Sequence, residues 1–175
     1  YATNNAAKNS RFRKEGLLEK IREWEAAGLC QVETHARSFR CNQAICDFAD
    51  GLWPQWPTTR SHNAEVTGHD GVFRVRTAHL HTYINEFTPV VLRYDSRTDN
   101  HGYSALNFGA AKGMTFHRVL VLPHGPIEKY LRTADPDDVA GSVNKFYVAV
   151  TRARSSVAFL YDGKCGAQCL DWKPR

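Results

Sequence analysis

Apolar residues recur along this chain at two alternating spacings. Leu17, Leu18, Ile21 and Trp24 fall on one face of a helix predicted over 14–28, with Gly28 as its stop. A strand-like run at 31–36 leads to a second helix, over 42–52, whose stripe is Ile45, Phe48, Ala49 and Leu52. Residues 53–71, rich in Pro, Thr, Ser, His and Gly, read as a surface connection. Beyond them come a strand at 72–75, a helix capped by Thr77 that carries Leu80, Tyr83, Ile84 and Phe87, and strands at 90–94, 105–108 and 118–122. Pro126 opens a short helix. Asp135 and Pro136 open a long one through Val139, Val143, Phe146, Tyr147 and Val150. The last strand, 157–161, is almost wholly apolar, as a strand covered on both faces should be. Strands separated by helices predict an α/β fold with a mainly parallel sheet between helical layers.

Composition narrows the setting without naming a function. The 42% hydrophobic and 23% charged content is that of an ordinary globular domain. No stretch approaches the roughly 20 apolar residues needed to span a bilayer, and the polar start at 1–10 has no signal-peptide core. The expected compartment is the cytoplasm, with no membrane partner. The sole methionine is Met114, so Tyr1 is not expected to be a translation start, and upstream sequence is expected. Lys and Arg outnumber Asp and Glu by 23 to 18, a balance that suits a polyanionic partner.

The five cysteines form no regular framework. Cys41 and Cys46 fall in a helical apolar pattern and read as small hydrophobes. Cys165 and Cys169, with Gly166 between them, have the spacing of a metal or disulfide pair, although zinc would need two further ligands. His79 and His81 are two apart on a predicted helix and share no face. Asp135, Asp137 and Asp138 read as helix-start residues. Trp53 and Trp56, near Arg60, suit either base stacking or the sealing of a core edge.

Three segments are candidates for chemistry. The first is Gly109 to Gly113, directly after the strand at 105–108. Its small residues let the backbone approach a ligand, and Lys112 adds a charge at the strand's exit, the usual ligand edge of an open parallel sheet. The pattern G-x-x-x-x-G-K-[ST] occurs nowhere, so the chain lacks a phosphate-cradling loop of its own. The second runs from Tyr147 to Arg154 and places Arg152 and Arg154 near a helix C-terminus. Arginine there complements the helix dipole, or it reaches a phosphate across a cleft. The third, Ser38 to Ile45, sets Arg40 between a strand and a helix start, a common phosphate position. His117 and Arg118 flank the Gly-rich turn, where they can meet a nucleic-acid backbone.

Taken in order, these segments resemble motifs IV, V and VI of the superfamily 1 DNA helicases of the UvrD, Rep and PcrA type. Ser38-Phe39-Arg40-Cys41 with Ile45 is similar to motif IV. Ala111-Lys112-Gly113-Met114-Thr115-Phe116 is similar to motif V, and Tyr147 to Ala153 matches the motif VI pattern Tyr-Val-Ala-x-Thr-Arg-Ala. The resemblance spans 30–162. It implies a C-terminal RecA-like domain of the P-loop NTPase type, a three-layer fold without its own Walker A. Residues 1–29 would then be a loop and helix following a missing first motor domain, and 163–175 a tail.

By that resemblance, Arg40 and Arg152 are catalytic arginines reaching the γ-phosphate of ATP. Lys112, Gly113 and Thr115 would line the nucleotide site, and Asn107, Gly109, Ala110 and His117 would meet DNA. ATP and magnesium would be held mainly by an N-terminal RecA-like domain of the same polypeptide. The whole protein would be an ATP-dependent DNA helicase, acting in repair or in defence against foreign DNA, on single-stranded or partly duplex DNA. This chain alone would be inactive. Thr115 stands where the family has a glutamate that contacts the nucleotide sugar. Gly109 stands for its histidine and Asn107 for its threonine. The change at Thr115 keeps open a non-catalytic nucleic-acid-binding module with the motor fold. A small nucleotide-independent enzyme or adaptor, binding another phosphate compound at the Gly-rich turn, is the third alternative.

Overall fold

The two most apolar segments, Val119 to Leu122 and Val157 to Leu160, become adjacent central strands, with every residue at most 7% exposed. A strand can bury both faces only if layers lie above and below it, and the rest of the fold supplies them. In the computed structural model, which describes residues 15–33 and 35–174, the chain forms two units that divide between His35 and Ala36. The first contains α1 (Glu15–Ala26), with Lys20 and Glu23 paired at 2.6 Å one turn apart. Gly28, at φ 70°, follows that helix.

The second unit begins with β1 (Arg37–Ser38), α2 (Gln43–Asp50) and β2 (Arg60–Ser61), β1 and β2 forming a small parallel pair. It continues with β3 (Gly71–Val75), a 3-10 turn (Thr77–His79), α3 (Leu80–Phe87), β4 (Val90–Arg93), β5 (Ala105–Asn107) and β6 (Phe116–Leu122). α4 (Gly125–Thr133), a 3-10 turn (Pro136–Val139), α5 (Val143–Val150), β7 (Ala153–Leu160) and β8 (Leu170–Asp171) complete it. Six strands form one sheet in the order β5-β4-β6-β7-β3-β8, and every pairing is parallel. Helices α2, α4 and α5 cover one face through Ile45, Phe48, Ile127, Leu131, Phe146 and Val150. α3 covers the other through Leu80 and Tyr83, against Leu120, Leu122, Ala158 and Leu160. This is a three-layer α/β architecture with a parallel sheet between helices. On the first face Phe146 meets Phe48, Tyr130 and Phe159 within 6.1 Å. Each such buried side chain contributes about 1.5–3 kcal/mol.

Three elements differ from expectation. The long helix from 135 is broken, because Asp135 accepts from the Asp137 N–H and starts only a 3-10 turn. Gly141 and Ser142 then interrupt the pattern, and α5 starts at Val143. Thr77 does not cap α3. Its N–H and hydroxyl both donate to Asp162, which follows β7. Residues 163–175, read as a tail, carry β8, which extends the sheet beside β3. Arg74, 6% exposed in β3, fastens that edge through an Nη2 hydrogen bond to Asp171 Oδ2 at 2.7 Å. Its Nε lies 2.6 Å from Asp171 Oδ1 without hydrogen-bond alignment, so that contact is a charge contact. Among the described residues, no helix is long and apolar enough to cross a membrane.

Candidate functional site

Parallel connections give the sheet two chemically distinct edges, and the sequence-selected residues divide between them. At the amino ends of β6 and β7 lies a two-arginine cluster. Arg152 follows α5 directly, at the point where Thr151 ends the helix by donating its N–H to the Tyr147 carbonyl. The Arg152 guanidinium donates to the carbonyls of Val148 (3.1 Å) and Met114 (3.1 Å), and to the Thr151 hydroxyl at 3.4 Å. Arg40 arrives from the β1–α2 turn and donates to the Thr151 carbonyl at 3.0 Å. One residue, Thr151, therefore receives both side chains.

Local sequence explains why Arg40 reaches this place. Asn42 caps α2 by accepting from the Ile45 N–H at 3.1 Å. The same side chain donates to the Ser155 carbonyl at 2.6 Å, and the Asn42 N–H donates to the Arg154 carbonyl at 3.1 Å. The start of α2 is thus tied to the start of β7. Asn63 ties a second loop to the same place, donating to the carbonyls of Arg40 (2.7 Å) and Arg154 (3.2 Å). Arg154 itself pairs with Glu65 at 3.0 Å. Among the described residues, no carboxylate pairs with Arg40 or Arg152, whose partners are carbonyls and one hydroxyl. Burial, and next the charge of Arg40, lower the proton affinity of Arg152. Two half-buried guanidinium groups with no carboxylate partner among the described residues can accept an anion, and guanidinium geometry favours phosphate or carboxylate.

The Gly-rich turn connects the two edges. Asn107 ends β5, where its Oδ1 accepts from Arg93 Nε at 3.1 Å, and the Phe108 N–H donates to the Arg93 carbonyl. Asn107, Gly109 and Ala110 therefore start from the carboxyl edge. The chain turns back through Ala111, which is fully buried, and Gly113, whose φ of 86° is costly for any residue with a Cβ. It reaches the arginine cluster at Met114, whose carbonyl Arg152 holds. Gly113 and Thr115 flank that residue, with Lys112 one step before, and the Phe116 N–H donates to the Arg152 carbonyl at 2.8 Å.

Arg40 thus stands at the amino ends of the strands rather than at the carboxyl edge where open parallel sheets usually bind ligands. A parallel connection must carry the chain back to the amino side before the next strand begins, and the cluster forms at that return. His117 also lies on the amino edge, with Nδ1 3.1 Å from Ser155 Oγ. Arg93 is level with both Asn107 and Leu122, so His117 sits about 17 Å of strand away from Asn107. The structure does not bring those two expected DNA-contacting positions together.

Other residues stand at these edges without having been singled out. Phe39, beside Arg40, is 75% exposed and stacks on His62 at 4.8 Å. A large apolar residue set between Ser38 and Arg40 was its signal. At the carboxyl edge Tyr94 and His124, each one or two residues past a strand end, stack at 4.0 Å, and Lys145 Nζ lies 4.4 Å from the Tyr94 ring. His124 Nδ1 is buried without a hydrogen-bond partner among the described residues, and burial lowers the pKa of that imidazole. Nothing in the one-dimensional pattern joins these three. Trp53 packs edge-on against Tyr147 at 4.9 Å and belongs to the core edge. His69, 7% exposed, lies between Phe73 and Phe87 with Nε2 2.9 Å from the Tyr83 hydroxyl. Among the described residues, no group of three or more His, Cys, Asp or Glu is placed to hold a metal ion.

No family model matches this chain, and no curated protein matches it. Similar folds occur among solved structures of helicases. A crystal structure of the PRRSV helicase nsp10 is 22% identical over 71% of this chain and 23% of that one, with a TM-score of 0.43. Another structure of the PRRSV helicase is 20% identical over 79% of this chain and 25% of that one, with a TM-score of 0.47. The C-terminal domain of a possible DNA helicase from Lactobacillus plantarum is 12% identical over 73% of this chain and 89% of that one, with a TM-score of 0.42. The chain spans about a quarter of the length of the two viral structures.

Proposed function

We propose that this chain is the C-terminal motor domain of an ATP-dependent nucleic-acid helicase or translocase, and that Arg40 and Arg152 act on the terminal phosphate of ATP. The reading rests on one observation: two guanidinium groups from distant segments converge on Thr151 with no carboxylate partner among the described residues. Phosphoryl transfer spreads negative charge over the transferring group, and positioned guanidinium groups stabilise it. The carbonyls that hold Arg152 fix its direction without neutralising it. Phe39, exposed beside Arg40, offers a flat apolar surface to a nucleobase.

Because the chain has no Walker A loop, the phosphates and magnesium would be held by an upstream RecA-like domain of the same polypeptide. The arginines would then close the site across the domain boundary. Lys112, Gly113 and Thr115, delivered to the same edge by the Gly-rich turn, would approach the nucleotide. Thr115 is shorter than the glutamate of the resembling family, so a sugar contact there would need a closer approach or a water. Asn107, Gly109 and Ala110 would form part of a track for single-stranded or partly duplex DNA at the opposite edge. His117 would belong to the nucleotide side.

The test is steady-state ATP hydrolysis by the full-length protein, with and without single-stranded DNA. DNA-stimulated turnover that collapses in Arg152→Ala supports the reading, and undiminished turnover defeats it. Thr115 favours a second reading, a nucleic-acid-binding module that retains the motor fold without hydrolysis. In that case the full-length protein would bind DNA and show no stimulated turnover.

A further inference from the structure

Asn63 lies in the irregular stretch between β2 and β3, and the small parallel pair sets its place. In that pair Ser38 stands level with Ser61, and the same register, two residues on, brings Asn63 beside Arg40. Helix α2 braces the approach. Gln43 donates to the Thr59 carbonyl and accepts from the Ser61 N–H, both at 2.9 Å. Asp50 accepts from the Thr59 N–H and hydroxyl at 2.6 and 2.8 Å. The Ser61 hydroxyl donates to the Cys41 carbonyl at 2.8 Å and accepts from the Asn63 N–H at 3.0 Å. Asn63 therefore reaches Arg40 from a fastened segment.

The two ends of the Asn63 amide have different partners. Its Oδ1 accepts from the Glu65 N–H at 3.0 Å, which shapes the turn of its own loop. Its Nδ2 donates to the Arg40 carbonyl at 2.7 Å and to the Arg154 carbonyl at 3.2 Å. An amide nitrogen carries two hydrogens, so each carbonyl receives one. One carbonyl belongs to the residue whose guanidinium meets Thr151, and the other lies two residues past Arg152. A single side chain thus joins the two segments that supply the arginine cluster. The same turn sets Glu65 against Arg154 at 3.0 Å, which gives that guanidinium a carboxylate partner.

We propose that Asn63 is a positioning residue for the two-arginine site: by tying the main chain of Arg40 to the start of β7, it keeps the Arg40 guanidinium in register with Arg152. The hydrogen bonds carry the geometric part, and the consequence for ATP turnover rests on the function proposed above. The rotamer entropy of an arginine side chain is comparable with the worth of one hydrogen bond to a charged group. The Thr151 contact alone therefore does not hold the guanidinium, and a fixed main chain removes much of the remaining freedom. An error of about 1 Å in a group that acts on a transition state can cost about two orders of magnitude in rate.

Two variants separate the ends of the amide. Asn63→Ala removes both, whereas Asn63→Asp keeps the acceptor that shapes the turn and loses the donors. The first measurement follows the guanidinium signals of the chain labelled with ¹⁵N-arginine, those of Arg40 being the ones absent from Arg40→Ala. Restricted rotation should give Arg40 separate Nη signals in the parent, and these should merge in both variants. Signals that stay separate in the variants, or that are already merged in the parent, overturn the proposal whatever the activity. If Asn63→Ala fails to fold, Asn63→Asp, which retains the turn, decides. The second measurement is ATP turnover by the full-length protein. Asn63→Ala should lower kcat by about tenfold, with KM changed by less than about threefold, and add no loss in an Arg40→Ala background. Parental turnover in Asn63→Asp assigns the residue to its own turn and overturns the proposal. So does an equal loss in the Arg40→Ala background, which marks a role independent of Arg40. A parent without turnover defeats the proposed function instead, and the guanidinium signals then decide the geometry by themselves.

Discussion

The amino and carboxyl edges of the sheet differ in how their positive charge is held. At the amino edge, Arg40 and Arg152 are fixed by carbonyls and the Thr151 hydroxyl, and no described carboxylate neutralises them. At the carboxyl edge, Arg93 donates to an amide, Lys145 lies over the Tyr94 ring, and Asp95 pairs with Arg97 at 2.7 Å. The first arrangement concentrates charge at a rigid point, as an anionic transition state requires. The second spreads modest charge among amide and aromatic groups, which suits an extended strand contacted by many weak interactions.

The comparison is broken or sharpened first by Arg152→Ala in the full-length protein. Turnover of ATP should fall by about three orders of magnitude or more, the scale of arginine-finger losses, while circular dichroism stays unchanged. Removing its two carbonyl contacts should cost only about 1–2 kcal/mol of stability in a denaturant titration. Arg40→Ala should reduce turnover by roughly two orders of magnitude, consistent with a charge-assisted contact to phosphate. Equal hydrolysis in this variant and the parent would mean that the two arginines do not share one target.

A third measurement concerns the packing behind the amino edge. Burial lowers the pKa of His69 from 6.5 to about 4, with Arg118 adding to the effect. The unfolded chain therefore binds more protons between those values. Stability from the neutral imidazole is fully present above about pH 6.5 and is lost as pH falls toward 4, by about 3 kcal/mol in all. Urea midpoints measured across that window should fall for the parent chain and fall clearly less for His69→Leu, which keeps the contribution of His124. The smallest effect belongs to the other edge. Asn107→Ala should weaken single-stranded DNA binding by roughly fivefold, the value of one hydrogen bond, with little change in DNA-independent hydrolysis. A loss of hydrolysis equal to that of Arg152→Ala would erase the distinction between the edges.

Much of the architecture was legible because burial leaves a periodic trace. The continuous apolar runs around Val119 and Val157 predicted strands covered on both faces, and the stripes of α2 and α5 predicted the helices that cover one of them. The helix from Asp135 was overextended, because apolar spacing continued through Gly141 while the backbone did not. Arg152 and Lys112 were noticeable from local patterns. Phe39 enters the sequence pattern only as part of the motif IV string, and its exposure beside Arg40 is a property of the fold. Tyr94, His124 and Lys145 come from three separated segments, and no local spacing links them.

The sequence by itself determined the alternation of strands and helices, the absence of a Walker A loop, and which arginines stand at ends of elements. These properties depend on neighbours within a few residues, where side-chain period and backbone preference act. Only the tertiary structure decided which edge each candidate occupies, that Thr151 receives two distant guanidinium groups, and that Cys41 and Cys46 are sealed in the core while Cys165 and Cys169 lie half-buried at its rim. Those outcomes depend on strand order and on the return path of each parallel connection, which bring together groups more than a hundred residues apart.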